Sequence, residues 1–348
     1  MRKEILKFIE LLMNKETKKF PKISVIIPNY NDAETLPLCL KAVFSSDYPD
    51  FEVIVVDDKS TDNSRELIKS FDIKILVHEK NRGQGAARNT GAKQANGEIL
   101  LFIDADACLK KDTLKKIANV FSEKNDIAAV VGLPDKTCVY KNLASIHFNR
   151  RIYFNFLKLP DYINIIHGTV AAIKKDVFLK IKGFNEGITG VEDTEIGYRL
   201  VGLGYKIYYS KDISVTHHKK INLFALFKND FKRTVDRLKF FLGKKQIKTL
   251  ISEKRFIASP LYELLSPFAT FFFFFFLLGA IVYRPLIFLS LFGFLMFLFL
   301  NLGYLSFNLK EEGLSTSIKL FVLLLFDMLI VMFALFWGGI LFLKGEKY

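Results

Sequence analysis

Cysteine is scarce: the 348-residue chain has three, Cys39, Cys108 and Cys138. Their number is odd and their spacing fits no metal-ligand pattern. A disulfide framework is therefore not expected, and a reducing environment is. Met1–Phe20 lacks a long apolar core and a small-residue cleavage site, so no signal peptide is expected. A Walker-type Gly-Lys-Ser loop is missing, and Gly83, Gly85 and Gly91 do not match the dinucleotide-binding fingerprint. Neither a Ser/His nor a Cys/His pair suggests a covalent nucleophile. There is no internal repeat, and the one low-complexity stretch is Phe271–Phe276.

Charge is unevenly placed. The net charge is +14, and Lys219–Arg255 holds twelve Lys/Arg against three Asp/Glu. That excess directly precedes an apolar region, where it suits anionic lipid headgroups at about 1 kcal/mol per basic residue near the surface. Nucleic acid is not an expected partner.

Three apolar stretches follow: Leu261–Tyr283, Leu286–Leu309 and Leu320–Leu343. A helix needs about 20 apolar residues to cross the hydrocarbon core, which the second and third satisfy. The first is unbroken only over Phe268–Tyr283, after Glu263 and Pro267, and reads as a tilted or re-entrant segment. Being apolar all round, these helices do not suit a soluble core. About three membrane helices are expected over residues 259–348. The basic stretch puts the preceding domain on the cytoplasmic side of an integral membrane protein. Three crossings would leave the Lys344–Tyr348 tail outside, which the charge rule disfavours. Asp327 is costly in lipid and should face protein or water; the sequence names no partner for it.

Two segments read as amphipathic helices. One, within 1–20, carries Ile5, Phe8, Ile9, Leu12 and Met13 at helical spacing. The other, within 221–258, carries Leu223, Phe227, Phe231, Val235, Leu238 and Phe241 among basic residues. Both suit a place in the headgroup plane; docking on the folded domain is the alternative.

Residues 21–220 alternate strands and helices. Apolar runs at Ile23–Ile27, Phe51–Val56, Ile73–Val77 and Ile99–Ile103 read as strands. The intervening segments read as helices, giving an α/β domain with a mainly parallel sheet flanked by helices.

The strand ends carry the chemistry. Ile99–Ile103 runs into Asp104-Ala105-Asp106, two carboxylates at the carboxyl edge of a sheet, where open α/β sheets bind ligands. Such a pair suits a hard divalent cation that also takes phosphate oxygens. The first strand ends in Pro28-Asn29-Tyr30-Asn31-Asp32, where Tyr30 offers a ring for stacking on a nucleobase; a capped turn is the alternative. Asp57, in Val56-Asp57-Asp58-Lys59-Ser60, can accept a uracil imide N–H or contact ribose. Arg88 lies in the glycine-containing opening of a helix, Asn81–Gly91, within reach of a phosphate. Glu192-Asp193-Thr194-Glu195 supplies carboxylates for a general base, or simply an acid-rich helix start that the dipole favours. Arg199 follows on the same helix. Gly168–Ala172 is a candidate acceptor floor, with His147 and His167 acceptor-side or structural.

Taken in order, Pro28–Asn31, Val56–Asp62, Asn81–Gly91, Asp104–Asp106 and Glu192-Asp193 resemble the family-2 glycosyltransferases of the GT-A fold, over about residues 21–220. That resemblance implies an inverting transfer from a nucleoside-diphosphate sugar, with Mg²⁺ or Mn²⁺. It implies that Tyr30 and Asp57 hold the base and that Asp104 lies near the ribose, with Pro28 and Arg88 also expected to bind the nucleotide sugar. Asp106 would hold the metal and Asp193 would deprotonate the acceptor hydroxyl, with Glu192 and Arg199 on the acceptor side. Related enzymes often place a histidine near the metal where His217 stands; a surface histidine is the alternative. UDP is preferred to GDP as the donor nucleotide. The acceptor is expected to be lipid-linked or a glycolipid. Lys59 stands where the family often has glycine. Rivals are a polyprenyl-phosphate glycosyltransferase of the dolichol-phosphate-mannose type, a processive synthase and a non-catalytic nucleotide-sugar-binding scaffold. The processive synthase is disfavoured because Trp337 is the only tryptophan and no Gln-x-x-Arg-Trp motif exists.

Overall fold

A computed structural model describes residues 20–243, 255–256 and 259–345. The expected N-terminal amphipathic helix, and the end of the basic one beyond Gly243, lie outside the described residues.

Among the described residues, β1 (Ile23–Asn29), β2 (Phe51–Asp57), β3 (Lys74–Val77) and β4 (Ile99–Ile103) form a parallel set in the order β3-β2-β1-β4. β1 and β4 are buried along their whole length. Helices cover both faces, so these strands are continuous Ile/Val/Leu runs rather than alternating ones. The sheet continues through β8 (Val170–Lys174), antiparallel to β4 and to β6 (Ile127–Pro134). β9 (Lys206–His217) is parallel to β6, and β5 (Ala107–Leu109) and β7 (Tyr162–Ile163) pair antiparallel with β9.

Chain order reverses between β1 and β4, the point at which an open sheet has its crevice. The carboxyl ends there are Asn29 and Ile103, so Tyr30–Asp32 and Asp104–Asp106 face one another across it.

The helices are α1 (Leu36–Phe44), α2 (Ser64–Leu67), α3 (Gln84–Gln94), α4 (Thr113–Glu123), α5 (Leu143–Phe156), α6 (Lys175–Lys180) and α7 (Glu192–Gly202). After the sheet come α8 (Leu223–Gly243), α9 (Leu261–Gly279) and α10 (Leu286–Leu343). α3 presses on β1, where a Cβ on Gly91 would lie 2.5 Å from Ile26 Cγ2.

α10 is not one rod. Gly313 has φ 75° and ψ 176°, outside helical space, a conformation that glycine tolerates. Phe297 and Phe321 ring centroids are 5.2 Å apart, although 24 residues of straight helix would separate them by about 36 Å. The chain therefore folds back at Gly313. The second and third apolar stretches are the two arms of this hairpin, which is long and apolar enough to cross a membrane by length and composition. The first is the shorter apolar helix Leu264–Gly279 within α9. Large apolar side chains along α10, such as Phe288, Phe292, Phe299 and Phe336, are exposed.

The basic segment is docked as well as basic. On α8, Phe240 and Phe241 pack with Ile165, Ile188 and Val191 of the catalytic domain. Leu226 packs with Ala144, Phe148 and Leu323. α8 is thus held between the α/β domain and the apolar hairpin, which accounts for its apolar stripe.

Asp327 finds its partners in the α/β domain. Fully buried, it meets the Arg151 guanidinium and lies 3.4 Å from His147 Nε2, both on α5. The fold-back itself is tied down by Arg150 to Glu312 and by Lys136 Nζ to Glu311 at 2.9 Å.

Candidate active site

The crevice between β1 and β4 opens into a cavity whose wall includes Pro28, Tyr30, Asp32, Asp58, Arg88 and Asp104. Asp106, Glu192, Asp193, His217, Lys219, Arg233 and Arg237 also line it. Eight of the ten site residues expected from sequence meet there. Tyr30 is 48% exposed, so its ring is open to a ligand.

Asp57 and Arg199 do not line this cavity. The Asp57 carboxylate is fully buried and accepts from Asn29 Nδ2 at 2.7 Å and from the Ser60 amide at 3.0 Å. It holds the β1 and β2 ends together. The neighbouring Asp58 faces the cavity instead and accepts from the Arg82 and Gly83 amides at 2.9 and 2.7 Å. His78 Nδ1 is also 2.7 Å away from it, so Asp58 shapes the turn into α3. Arg199 bridges Glu195, the Ile181 carbonyl and the Gly183 carbonyl. It fastens α7 to the turn after α6.

Arg88 is 1% exposed. Its Nη2 donates to Asp104 Oδ1 at 2.8 Å, while Nε and Nη1 have no hydrogen-bond partner. Nη1 is 3.6 Å from Glu192 Oε1, so this buried guanidinium in the cavity wall sits between two carboxylates with donors still to spare for an anion. Gly168 leaves it room, because a Cβ there would fall 2.5 Å from Nη2.

Asp106 is nearly buried. His217 Nε2 is 3.2 Å from its Oδ1 and Lys219 Nζ is 2.8 Å from its Oδ2. Burial would raise the Asp106 pKa, but hydrogen bonding and charge from His217 and Lys219 hold it well below the usual carboxylate range. Asp32 goes the other way: burial, with the Asp106 charge adding, pushes it up to about 6. Burial and the adjacent Asp193 raise Glu192, which accepts from the Gly190 amide and Gln84. Burial lowers His167 to about 4, leaving it a neutral imidazole at pH 7.

The metal that the resemblance implies can be tested against this geometry. Two adjacent ligands of an octahedral ion at 2.0–2.1 Å have donor atoms about 3 Å apart, and His217 Nε2 and Asp106 Oδ1 are 3.2 Å apart. These two residues fit. Among the described residues no group of three or more ligating side chains is present, so diphosphate and water would complete the shell.

Asp193 sits in the first turn of α7. Its Oδ1 accepts from the Thr194 amide at 2.7 Å, and the residue lines the crevice cavity. The residue also lines a second cavity, whose wall includes His147, Arg151, His167, Asp230 and Thr234 and which reaches Leu264, Pro267, Val331 and Leu335. Phe148, Ile152, His167, Asp193, Arg233 and Arg237 belong to both cavities. Sequence reasoning missed Asp32, Asp58 and Lys219, and placed Arg233 and Arg237 in a lipid-facing patch.

The site is thus a switch-point crevice holding a buried arginine, a carboxylate–imidazole pair and a helix-borne acid at the cavity junction. Comparison with known proteins shows what the chain is similar to. Residues 24–182 match the family Glycosyl transferase family 2. It is 31% identical over 208 residues to the poly-β-1,6-N-acetyl-D-glucosamine synthase of Staphylococcus epidermidis, covering 57% of this chain and 50% of the synthase. It is 29% identical over 211 residues to glycosyltransferase AglE of Haloferax volcanii, covering 58% and 68%. The match thus spans about half the length of the synthase. The mannosyltransferase PcManGT of Pyrobaculum calidifontis, solved with GDP-Man and Mn²⁺, superposes with a TM-score of 0.57. That superposition is at 18% identity over 94% of this chain and 88% of the other, so the GT-A likeness is one of fold.

Proposed function

We propose that this chain transfers a sugar, with inversion, from a nucleoside-diphosphate sugar to a hydroxyl of a membrane-associated, lipid-linked acceptor. One observation carries the reading: Asp193 stands in the wall of both the crevice and the cavity that reaches the apolar helices. A carboxylate at that junction can take the acceptor proton as the bond to the anomeric carbon forms, a contribution of about 10²–10⁴-fold. Tyr30 stacks on the base, with UDP the first nucleotide to test. Arg88 and Lys219 neutralise the diphosphate, and Glu192 braces the α7 start. Asp106 and His217 hold Mg²⁺ or Mn²⁺, which supplies charge stabilisation to the departing diphosphate.

The α10 hairpin and α9 anchor the enzyme, with the α/β domain on the cytoplasmic side. The ion pairs at the Gly313 fold-back and the basic segment support that sidedness. Anionic lipids then gather at the remaining basic surface.

The test is a screen of purified protein against UDP-, GDP- and dTDP-sugars for metal-dependent hydrolysis, followed by transfer to lipid-linked and to simple alkyl glycoside acceptors. Metal-dependent hydrolysis with product of inverted configuration supports the reading. Binding of donor without any turnover would favour a scaffold. Transfer to a polyprenyl phosphate lacking any sugar hydroxyl would favour the dolichol-phosphate-mannose type of reaction.

A further inference from the structure

Two arginines at the cavity junction feel Asp193 and Asp230 only through longer-range charge, not through a direct ion pair among the described residues. Arg233 and Arg237, one helical turn apart on α8, line both cavities. Neither has a carboxylate within ion-pair distance among the described residues, whereas Arg151 in the same wall is matched by Asp327 and by Asp230 at 3.5 Å. Arg237 Nε is buried without a hydrogen-bond partner. The Arg233 guanidinium lies 5.6 Å from the Phe148 ring centroid, which holds it in the wall. Burial disfavours the charge of Arg237 and nearby Arg233 adds to this, while the charges of Asp193 and Asp230 offset it only in part. Two like charges kept together in a partly dry wall cost stability unless an anion joins them.

The surroundings define that anion further. The donor crevice already has cations of its own in Arg88, paired with Asp104, and Lys219, paired with Asp106. Beyond Arg233 and Arg237 the second cavity becomes apolar and ends at Leu264 and Pro267 of α9 and Val331 and Leu335 of α10. Pro267 removes a backbone donor inside α9, and the wall there is helix surface facing the anchor. One ligand matches the sequence of hydroxyl-facing acid, cationic pair and apolar exit.

We infer that Arg233 and Arg237 form a subsite for the phosphate or diphosphate joining sugar to lipid in the acceptor, with the lipid chain leaving between α9 and the second arm of α10. The inference rests on Asp193 being the acceptor base and goes further by naming the acceptor's linkage. A diphosphate between the two guanidiniums would put the attached sugar at His167 and Asp193, and the chain toward Pro267.

The experiment uses the full-length enzyme in nanodiscs with the donor that gives the most hydrolysis. Transfer to a synthetic polyprenyl diphosphate monosaccharide is compared with transfer to an alkyl glycoside of the same sugar. The parent should prefer the diphosphate-linked acceptor at least tenfold in kcat/KM. Arg237→Gln and Arg233→Gln should each remove most of that preference, through acceptor KM, while leaving KM for the donor within about twofold. Sugar-free polyprenyl diphosphate should compete with the acceptor, and inorganic pyrophosphate at equal concentration should not. Equal use of both acceptors by the parent would overturn the inference while leaving hydroxyl transfer intact. A rise in donor KM in the arginine variants would assign the pair to the donor diphosphate instead. Equal competition by pyrophosphate would mean an anion site with no lipid selectivity, which also contradicts the proposal. Arg237→Lys, which keeps the charge, should recover part of the preference and exclude a folding defect.

Discussion

His217 Nε2 stands 3.2 Å from Asp106 Oδ1, and strand pairing fixes that contact. Ala107 pairs with His217 across β5 and β9, and the His218 amide donates to the Asp106 carbonyl at 2.7 Å. His218 therefore repeats the backbone contact while its side chain points to the other face of the strand. His217→Ala should weaken metal-dependent donor binding, with partial recovery at high Mn²⁺, and His218→Ala should change little. Titration calorimetry with donor and Mn²⁺ checks both; identical metal dependence in the His217 variant and the parent would remove His217 from the ligand set.

Asp193→Asn should lower kcat by about 10²–10⁴-fold and leave donor affinity nearly unchanged. An asparagine carbonyl can still accept from the Thr194 amide, so the start of α7 and the melting temperature should be retained. Stopped-assay turnover beside a nucleotide-binding measurement separates the two quantities. Near-parental turnover would take the proton-abstraction role away from Asp193.

Gly168→Ala should act through Arg88. The new methyl would meet Nη2 at 2.5 Å, and a buried guanidinium held by Asp104 has little room to move. A cost of about 1–3 kcal/mol in stability is expected from overpacking, together with weaker donor binding. Donor KM and thermal melting should both shift; a variant with the parent's donor KM would mean that Arg88 does not meet the diphosphate.

Much of this architecture is legible in the chain because burial on two faces writes itself as continuous Ile/Val/Leu runs, as in Ile99–Ile103. Asp104 and Asp106 were readable for the same reason: a polar pair must follow where such a run leaves the sheet. The choice between Asp57 and Asp58 was not readable, because a strand's last residue sets which neighbour turns inward. Here the inward group is taken by Asn29 and Ser60. The bonds of Arg199 to the Ile181 and Gly183 carbonyls were not readable either, because they join segments apart in sequence. Arg233 and Arg237 lie on a helix whose pattern suits a lipid surface equally well, and only the packing of Phe240 and Phe241 turns them toward the cavity. Gly313 carries the whole reversal of the apolar hairpin without any neighbouring proline to announce it.

The pH dependence of stability should reflect two depressed histidines. Burial lowers His147 to about 3 and His167 to about 4, from an ordinary 6.5. Between those values and 6.5 the unfolded chain binds more protons than the folded one, so stability falls as pH drops from 6.5 toward 4. Asp32, raised from 3.8 to about 6, has the opposite slope over its own window. Comparing parent with His167→Gln cancels the Asp32 contribution. The melting temperature of the parent should fall further than that of the variant between pH 7 and pH 5, by a few degrees. Parallel curves would show that His167 is as easily protonated in the folded enzyme as in the unfolded one.

Arg151 and Asp327 join the catalytic domain to the apolar hairpin, and their removal should be strongly non-additive. Taking away one member of a buried ion pair strands the other charge, at a cost of about 3–5 kcal/mol, whereas replacing both with apolar residues is often nearly neutral. Asp327→Leu should therefore loosen the hairpin from the domain, and Arg151→Leu should do the same. The double variant Arg151→Leu, Asp327→Leu should recover at least half of the loss. Asp230, 3.5 Å from Arg151, and His147, 3.4 Å from Asp327, remain in all three proteins, so each single loss should be moderated and recovery incomplete. Trp337 lies on the second arm of α10 and is the only tryptophan, so its fluorescence reports hairpin detachment during heating in detergent. If the double variant melts at the temperature given by adding the two single losses, the pair is not coupled.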